Sequence, residues 1–136
     1  VDDLTARVEA ARKAFDRFAS FNRSANASDD TRDLAIFWFV LSFEAIWKAA
    51  KAVLAREGTE RLLQSGSPRN IIRESQIAGL LSEDAAKALL AALEDRNRAV
   101  HVYREALAVE VMRRLPDYEL LFRQWVEAME ASLGCG

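Results

Sequence analysis

Across residues 3–21 the apolar side chains Leu4, Val8, Ala11, Phe15 and Phe18 recur at alternating steps of four and three. That spacing aligns them on one stripe of a helix, with Arg7, Glu9, Arg12, Lys13, Asp16 and Arg17 on the remaining surface. Residues 22–28 lose the period and carry turn chemistry, so they are expected to connect two helices. A second helix is expected from Asp29 or Asp30, either of which can cap it, to Arg56 or Glu57, with Gly58 as the stop. Its first half is apolar around almost the whole circumference, from Ile36 through Trp47. A helix of that kind in a small bundle is expected to share its apolar surface between the core and a second copy of the chain, giving a homodimer.

Residues 59–66 read as a connection, with a helical turn at Arg61-Leu62-Leu63. Ser67-Pro68 places a capping serine before a proline at the first helical position, which predicts a short helix over 68–78 ended by Gly79. Ser82-Glu83-Asp84 opens a fourth helix. Stepping 100° per residue puts Ala86, Leu89, Leu93, Arg96, Val100 and Tyr103 on one stripe. Leu90, Glu94, Asn97 and His101 flank it, while Asp95 and Arg98 face away. The last helical segment carries Val111, Leu115, Tyr118, Phe122, Trp125 and Met129 as its seam and runs to about Leu133. Pro116 inside it predicts a kink, or a fresh helix start after Arg114. The reading is therefore all-α: one domain over 1–136, an up-and-down four-helix bundle with one additional short helix.

Composition changes this picture little. Five Gly and two Pro in 136 residues suit helices, and a formal charge of −2 argues against a generally basic nucleic-acid binder. Residues 34–47 are apolar but too short to span a bilayer, so no membrane association is expected. The start at Val1-Asp2-Asp3 has no secretory pattern, and the single Cys135 in a Gly-flanked tail provides no disulfide framework, so a cytoplasmic location is expected.

Candidate chemistry gathers in residues 93–103. Arg96 lies within an apolar stripe, where a guanidinium must be paired; Glu44, the one acid in the apolar half of the second helix, is the candidate partner. Alternatively Arg96 faces a cleft and holds a phosphate in its fork, and a carboxylate behind it is compatible with that role. His101 is the only histidine, with Asn97 and Glu94 one and two turns back. It reads either as a boundary residue hydrogen-bonded to a neighbour or as a general acid/base whose tautomer those neighbours fix. Tyr103 reads as a boundary aromatic or as a phenol near an arginine. One histidine and no cysteine cluster make a metal site unexpected, and no phosphate loop or hydrolase motif is present.

Arg96-Asn97-x-x-x-His101-x-Tyr103 resembles the R-x-x-x-x-H-x-Y signature of HEPN-domain proteins of the HepT type, also described as nucleotidyltransferase substrate-binding proteins. Phe43-Glu44-x-x-Trp47-Lys48, Ser67-Pro68-Arg69, Ile72-Arg73-Glu74, Ala78-Gly79-Leu80 and Leu93-Glu94-Asp95-Arg96-Asn97 carry the same likeness. The resemblance implies a dimeric helical bundle acting as a metal-independent endoribonuclease toxin that needs no cofactor. Its partner would be a small MNT nucleotidyltransferase antitoxin that attaches AMP to Tyr103. Arg96 would stabilise the scissile phosphate and His101 would act as general acid/base. Asn97 would orient one of them, with Glu44 and Arg98 in support. Metal-free cleavage uses the RNA 2′-hydroxyl as nucleophile, so one histidine per chain, doubled in a dimer, would suffice.

The chain departs from the family pattern at Trp38 and Val40, in place of Arg and Glu. Arg98-Ala99 replaces an apolar-Thr pair, and Arg104 replaces an acid. A non-catalytic partner that presents substrate to a nucleotidyltransferase is the competing reading, and an inert bundle with Arg96 merely ion-paired is a third. Arg96 and Tyr103 would share a face, whereas His101 stands about 140° from Arg96. A working site then requires a local bend, a long reach by Arg96, or the second subunit, and the last is the expectation.

Overall fold

The computed structural model describes residues 3–58, 66–101 and 104–134, with the His101 side chain outside that description. Among the described residues six helices follow one another: α1 Asp3–Asn22, α2 Asp29–Arg56, α3 Pro68–Ile77, α4 Glu83–His101, α5 Glu105–Met112 and α6 Leu115–Gly134. The helical turn expected at residues 61–63 lies outside the described residues.

Local chemistry explains most helix ends. α2 is capped by Ser28, whose hydroxyl accepts from the Thr31 amide while the Thr31 hydroxyl accepts from the Ser28 amide. This reciprocal box satisfies two otherwise orphaned donors, which leaves Asp29 and Asp30 in the first turn rather than at the cap. Ser67 and Ser82 cap α3 and α4 through the amides of Asn70 and Ala85. Gly58 and Gly79 follow α2 and α3 with φ of +105° and +83°, a region closed to most other residues. Pro116 gives a fresh helix start: the final segment is two helices, α5 and α6, and the chain turns at Arg113-Arg114.

The predicted seams meet in one core. α1 contributes Val8, Ala11, Phe15 and Phe18, and α6 contributes Tyr118, Phe122, Trp125, Val126 and Met129. Between them lies α2, whose Phe39 stacks on Phe122 at 5.7 Å and on Tyr118 at 5.3 Å between ring centres. Phe18 and Phe43 close around Phe122. Aromatic burial on this scale supplies most of the driving force for docking α2 between its neighbours. Arg12 adds a two-pronged tie from α1 to Glu130 on α6, at 2.6 and 2.9 Å. That hydrogen bond holds the Arg12 guanidinium above its ordinary range and the Glu130 carboxyl below its own.

One face of α2 remains uncovered. Leu34, Phe37 and Leu41 follow each other at three and four residues and are all exposed, Phe37 by 54%. None of the described helices is long and apolar enough to cross a membrane.

Candidate functional site

α4 carries the candidate residues, and two consecutive positions on it are gripped from opposite sides. Arg96 forms an ion pair with Glu44 of α2 through Nη2, and its Nη1 donates to the Asn97 side-chain oxygen at 2.7 Å. Glu44 is also 3.7 Å from Lys48 Nζ, so this carboxylate sits between two cations. The Arg96 Nε is buried with no hydrogen-bond partner among the described residues. The arginine placed in an apolar stripe by its spacing is therefore an ion-paired group with one unmet donor, and Asn97 serves Arg96.

Asp95 corrects the helical-wheel expectation. It was expected to face away, yet it is 1% exposed. Its carboxylate accepts the Tyr118 hydroxyl at 2.6 Å, Arg114 Nη1 at 2.8 and 2.9 Å, and Arg98 Nη2 at 2.8 Å. Arg114 in turn donates to Glu110 at 2.9 Å. The physical reason is that α6 covers this side of α4: a carboxylate can be buried when every lone pair meets a donor, and here two helices and the α5–α6 turn supply them. Burial, reinforced by the Asp95 hydrogen bond and charge, pushes the Tyr118 phenol above its usual range. The Asp95 hydrogen bond likewise holds Arg114 above its own. Arg98, expected to support the site, is half exposed and leans back on Asp95.

The apolar stripe does not persist to the end of α4. Ala86, Leu89 and Leu93 are buried, but Val100 is 54% exposed. Helical backbone continues without a break through His101, so no interruption of α4 separates Arg96 from His101. The described helix ends there, and Arg104 is already extended at φ −139° and ψ 134°. The expectation that Arg96 and Tyr103 share one face of a continuous helix falls on residue 103, beyond the described end of α4. Tyr103 itself and the His101 side chain lie outside the described residues.

Beside this segment, a groove of about 310 Å³ opens between α2, the end of α4 and α5. Ile36, Phe37, Val40, Val100, Leu107 and Val111 make it apolar, and Asp33 and Arg104 stand at its edge. Arg32, also buried, ties the adjoining ends of α2 and α5 through Asp29, Asp33 and Glu105. Among the described residues no group of three or more His, Cys, Asp or Glu side chains could hold a metal ion.

Sequence periodicity found Arg96, Glu44 and Asn97 but missed Asp95, Arg114 and Arg32. The signal for Asp95 was indirect: Tyr118 lies in a seam of otherwise apolar residues, and a buried phenol requires a hydrogen-bond partner.

The family model for "Nucleotidyltransferase substrate binding protein like" matches residues 6–131. The chain belongs to that family. A crystal structure of a Thermus thermophilus protein is 38% identical, with a TM-score of 0.73 over 88% of this chain and 98% of that one. A tri-AMPylated Shewanella oneidensis HEPN toxin, solved in complex with MNT antitoxin, shares the fold at 16% identity and a TM-score of 0.67, covering 96% and 99%. A toxin–antitoxin structure with AMP-PNP does so at 14% identity and a TM-score of 0.65, covering 95% and 99%. No curated protein matches the sequence. This family member therefore has the helical fold of HEPN toxins.

Proposed function

We propose that this protein is a HepT-like endoribonuclease toxin, neutralised by an MNT-type nucleotidyltransferase antitoxin. The observation that carries the reading is Arg96, ion-paired to Glu44, bonded to Asn97 and mounted on the helix that ends at His101. A guanidinium held from behind by a carboxylate keeps its orientation while a phosphate approaches. In the reaction, the neutral imidazole of His101 takes the proton of an RNA 2′-hydroxyl, whose oxygen attacks the adjacent phosphorus. Arg96 stabilises the charge that develops on the phosphate oxygens. The 5′-oxygen leaves with a proton from a second, protonated imidazole, and a cyclic phosphate remains.

That second imidazole belongs to another copy of the chain. Position 101 of α4 lies five residues past Arg96, about 140° further around the helix axis at 100° per residue, which favours a site completed by the second copy. The homodimer forms through the exposed Leu34, Phe37 and Leu41 of α2 and the apolar groove beside Val100. The antitoxin attaches AMP to Tyr103, which blocks the motif with a bulky anion; support comes from the AMPylated state of the Shewanella oneidensis toxin in its complex.

Wild-type protein is expected to cut RNA and arrest growth on expression, and His101→Ala to do neither; identical behaviour of the two would reject catalysis. Phe37→Glu should shift the sedimentation coefficient from dimer to monomer. Incubation with an MNT-type nucleotidyltransferase and ATP should add the mass of AMP to wild type and not to Tyr103→Phe.

A second reading has support from the family's own description. As a substrate-binding protein for a nucleotidyltransferase, the chain would present a ligand at Arg96 without cleaving RNA. Growth arrest lost in His101→Ala separates the two.

A further inference from the structure

We propose that Asp95, acting through Tyr118, is a positioning residue that sets where α4 delivers His101. This rests on the reading of His101 as the acid/base group. Asp95 and Arg96 are neighbours about 100° apart on the helix, and each is tied to a different partner element. Asp95 is bound to Tyr118 on α6 and to Arg114 in the α5–α6 turn. Arg96 is bound to Glu44 on α2. A roll of α4 that eased one tie would break the other, so this level of the helix is fixed in both rotation and height.

Beyond that level the described residues of α4 add few ties. Asn97, Arg98 and Val100 are exposed, Ala99 is half-buried, and the Asn97 side chain bonds back to Arg96. Over the remaining five residues, about 7.5 Å at 1.5 Å per residue, the helix projects from its clamp toward His101. Among the described contacts, the two ties that fix its direction are those at residues 95 and 96. Apolar residues in place of the whole cluster would bury at least as well, because a buried ion cluster gains little over apolar residues of similar size. What the cluster adds is direction: a 2.6 Å hydrogen bond from Tyr118 and three contacts from two arginines admit one placement of the Asp95 carboxylate. Misplacing a catalytic group by about 1 Å can cost on the order of 10²-fold in rate, so such a clamp has a kinetic consequence.

The test uses the fact that His101 is the only histidine, so its imidazole gives a single set of NMR signals in the whole chain. Tyr118→Phe and Asp95→Asn are compared with wild type and with Glu130→Gln, which loosens the distant α1–α6 tie. Melting temperature, kcat and KM on RNA, and the imidazole signals are recorded for each. Tyr118→Phe is expected to stay folded, to lose about tenfold or more in kcat with KM within about twofold, and to shift or broaden the imidazole signals. Glu130→Gln should lower the melting temperature and move neither kcat nor the imidazole. A folded Tyr118→Phe with wild-type kcat and unchanged imidazole signals overturns the proposal; if Asp95→Asn does not fold, Tyr118→Phe alone decides. Should the wild type fail to cut RNA, the endoribonuclease reading falls, and the imidazole signals still decide whether Asp95 and Tyr118 position the histidine.

Discussion

Asp95 and Arg96 are adjacent, both charged and both drawn into the bundle, yet they are satisfied to different degrees. Asp95 is almost fully buried and meets a phenol and two arginines. Arg96 keeps 22% of its side chain exposed, is bonded through its two terminal nitrogens, and has no partner for Nε among the described residues. A polar group whose capacity is filled by its own fold can only hold structure. One that keeps part of its guanidinium-bearing side chain at the edge of solvent can gain by meeting a ligand there. On the proposed function, the difference separates the anchor of the site from its working group, although the two residues share a peptide bond.

The comparison breaks most visibly in stability. Asp95→Ala removes the one acceptor on which Tyr118, Arg114 and Arg98 converge, leaving a buried phenol and a partly buried guanidinium without it. Removing one partner of a buried ion cluster typically costs about 3–5 kcal/mol. Arg96→Met should cost about 1 kcal/mol or less, because its pair lies nearer solvent and Glu44 keeps Lys48 nearby. Urea unfolding of the two variants, at constant m-value, measures the gap; equal losses would erase the distinction between anchor and working group.

The order reverses in catalysis. On the proposed reaction, Arg96→Met removes the donors that would meet developing phosphate charge, for which a loss of about 10²-fold in RNA cleavage is expected, or roughly 2.7 kcal/mol of transition-state stabilisation. Cleavage assays on a protein that remains folded check this. A loss confined to KM would mean that Arg96 only binds the ground state.

Much of this arrangement is legible in the sequence, and the exception is instructive. The seams of α1 and α6, the Ser67-Pro68 start of α3 and the break at Pro116 follow from spacing and backbone chemistry, and the structure has each of them. Arg96 stood out because it interrupts an apolar stripe, and Glu44 because it is the acid in an apolar half-helix. Asp95 did not stand out. By helical spacing it continues a stripe of Ala85, Ala88 and Ala92, of which Ala85 and Ala92 are buried. Small residues let α6 approach closely but carry almost no hydrophobic signal, so the face looked solvent-exposed. Its partners Arg114 and Tyr118 lie 19 and 23 residues downstream, a pairing that no local period encodes. The exposed end of the α4 stripe at Val100 was missed for the converse reason: periodicity marks an apolar residue as inward whether or not this chain supplies a neighbour to cover it.

A smaller effect than that of Asp95→Ala isolates one bond of the anchor. Tyr118→Phe keeps the ring stacked on Phe39 and deletes only the hydroxyl that donates to Asp95. Arg114 and Arg98 still satisfy the carboxylate, so the loss should be roughly 1–2 kcal/mol, below that of Asp95→Ala. The bond also carries a pH signature. Burial and Asp95 raise the folded-state pKa of the Tyr118 phenol, so the folded protein favours the protonated form more than the unfolded chain does. Its contribution is complete below the ordinary phenol pKa of about 10 and is lost as pH rises from there through the raised folded value. Wild-type stability should therefore fall on the alkaline side more steeply than that of Tyr118→Phe, and the two curves should converge there. Parallel curves in urea unfolding between pH 8 and pH 11 would show that the Tyr118 hydroxyl does not hold the Asp95 cluster together.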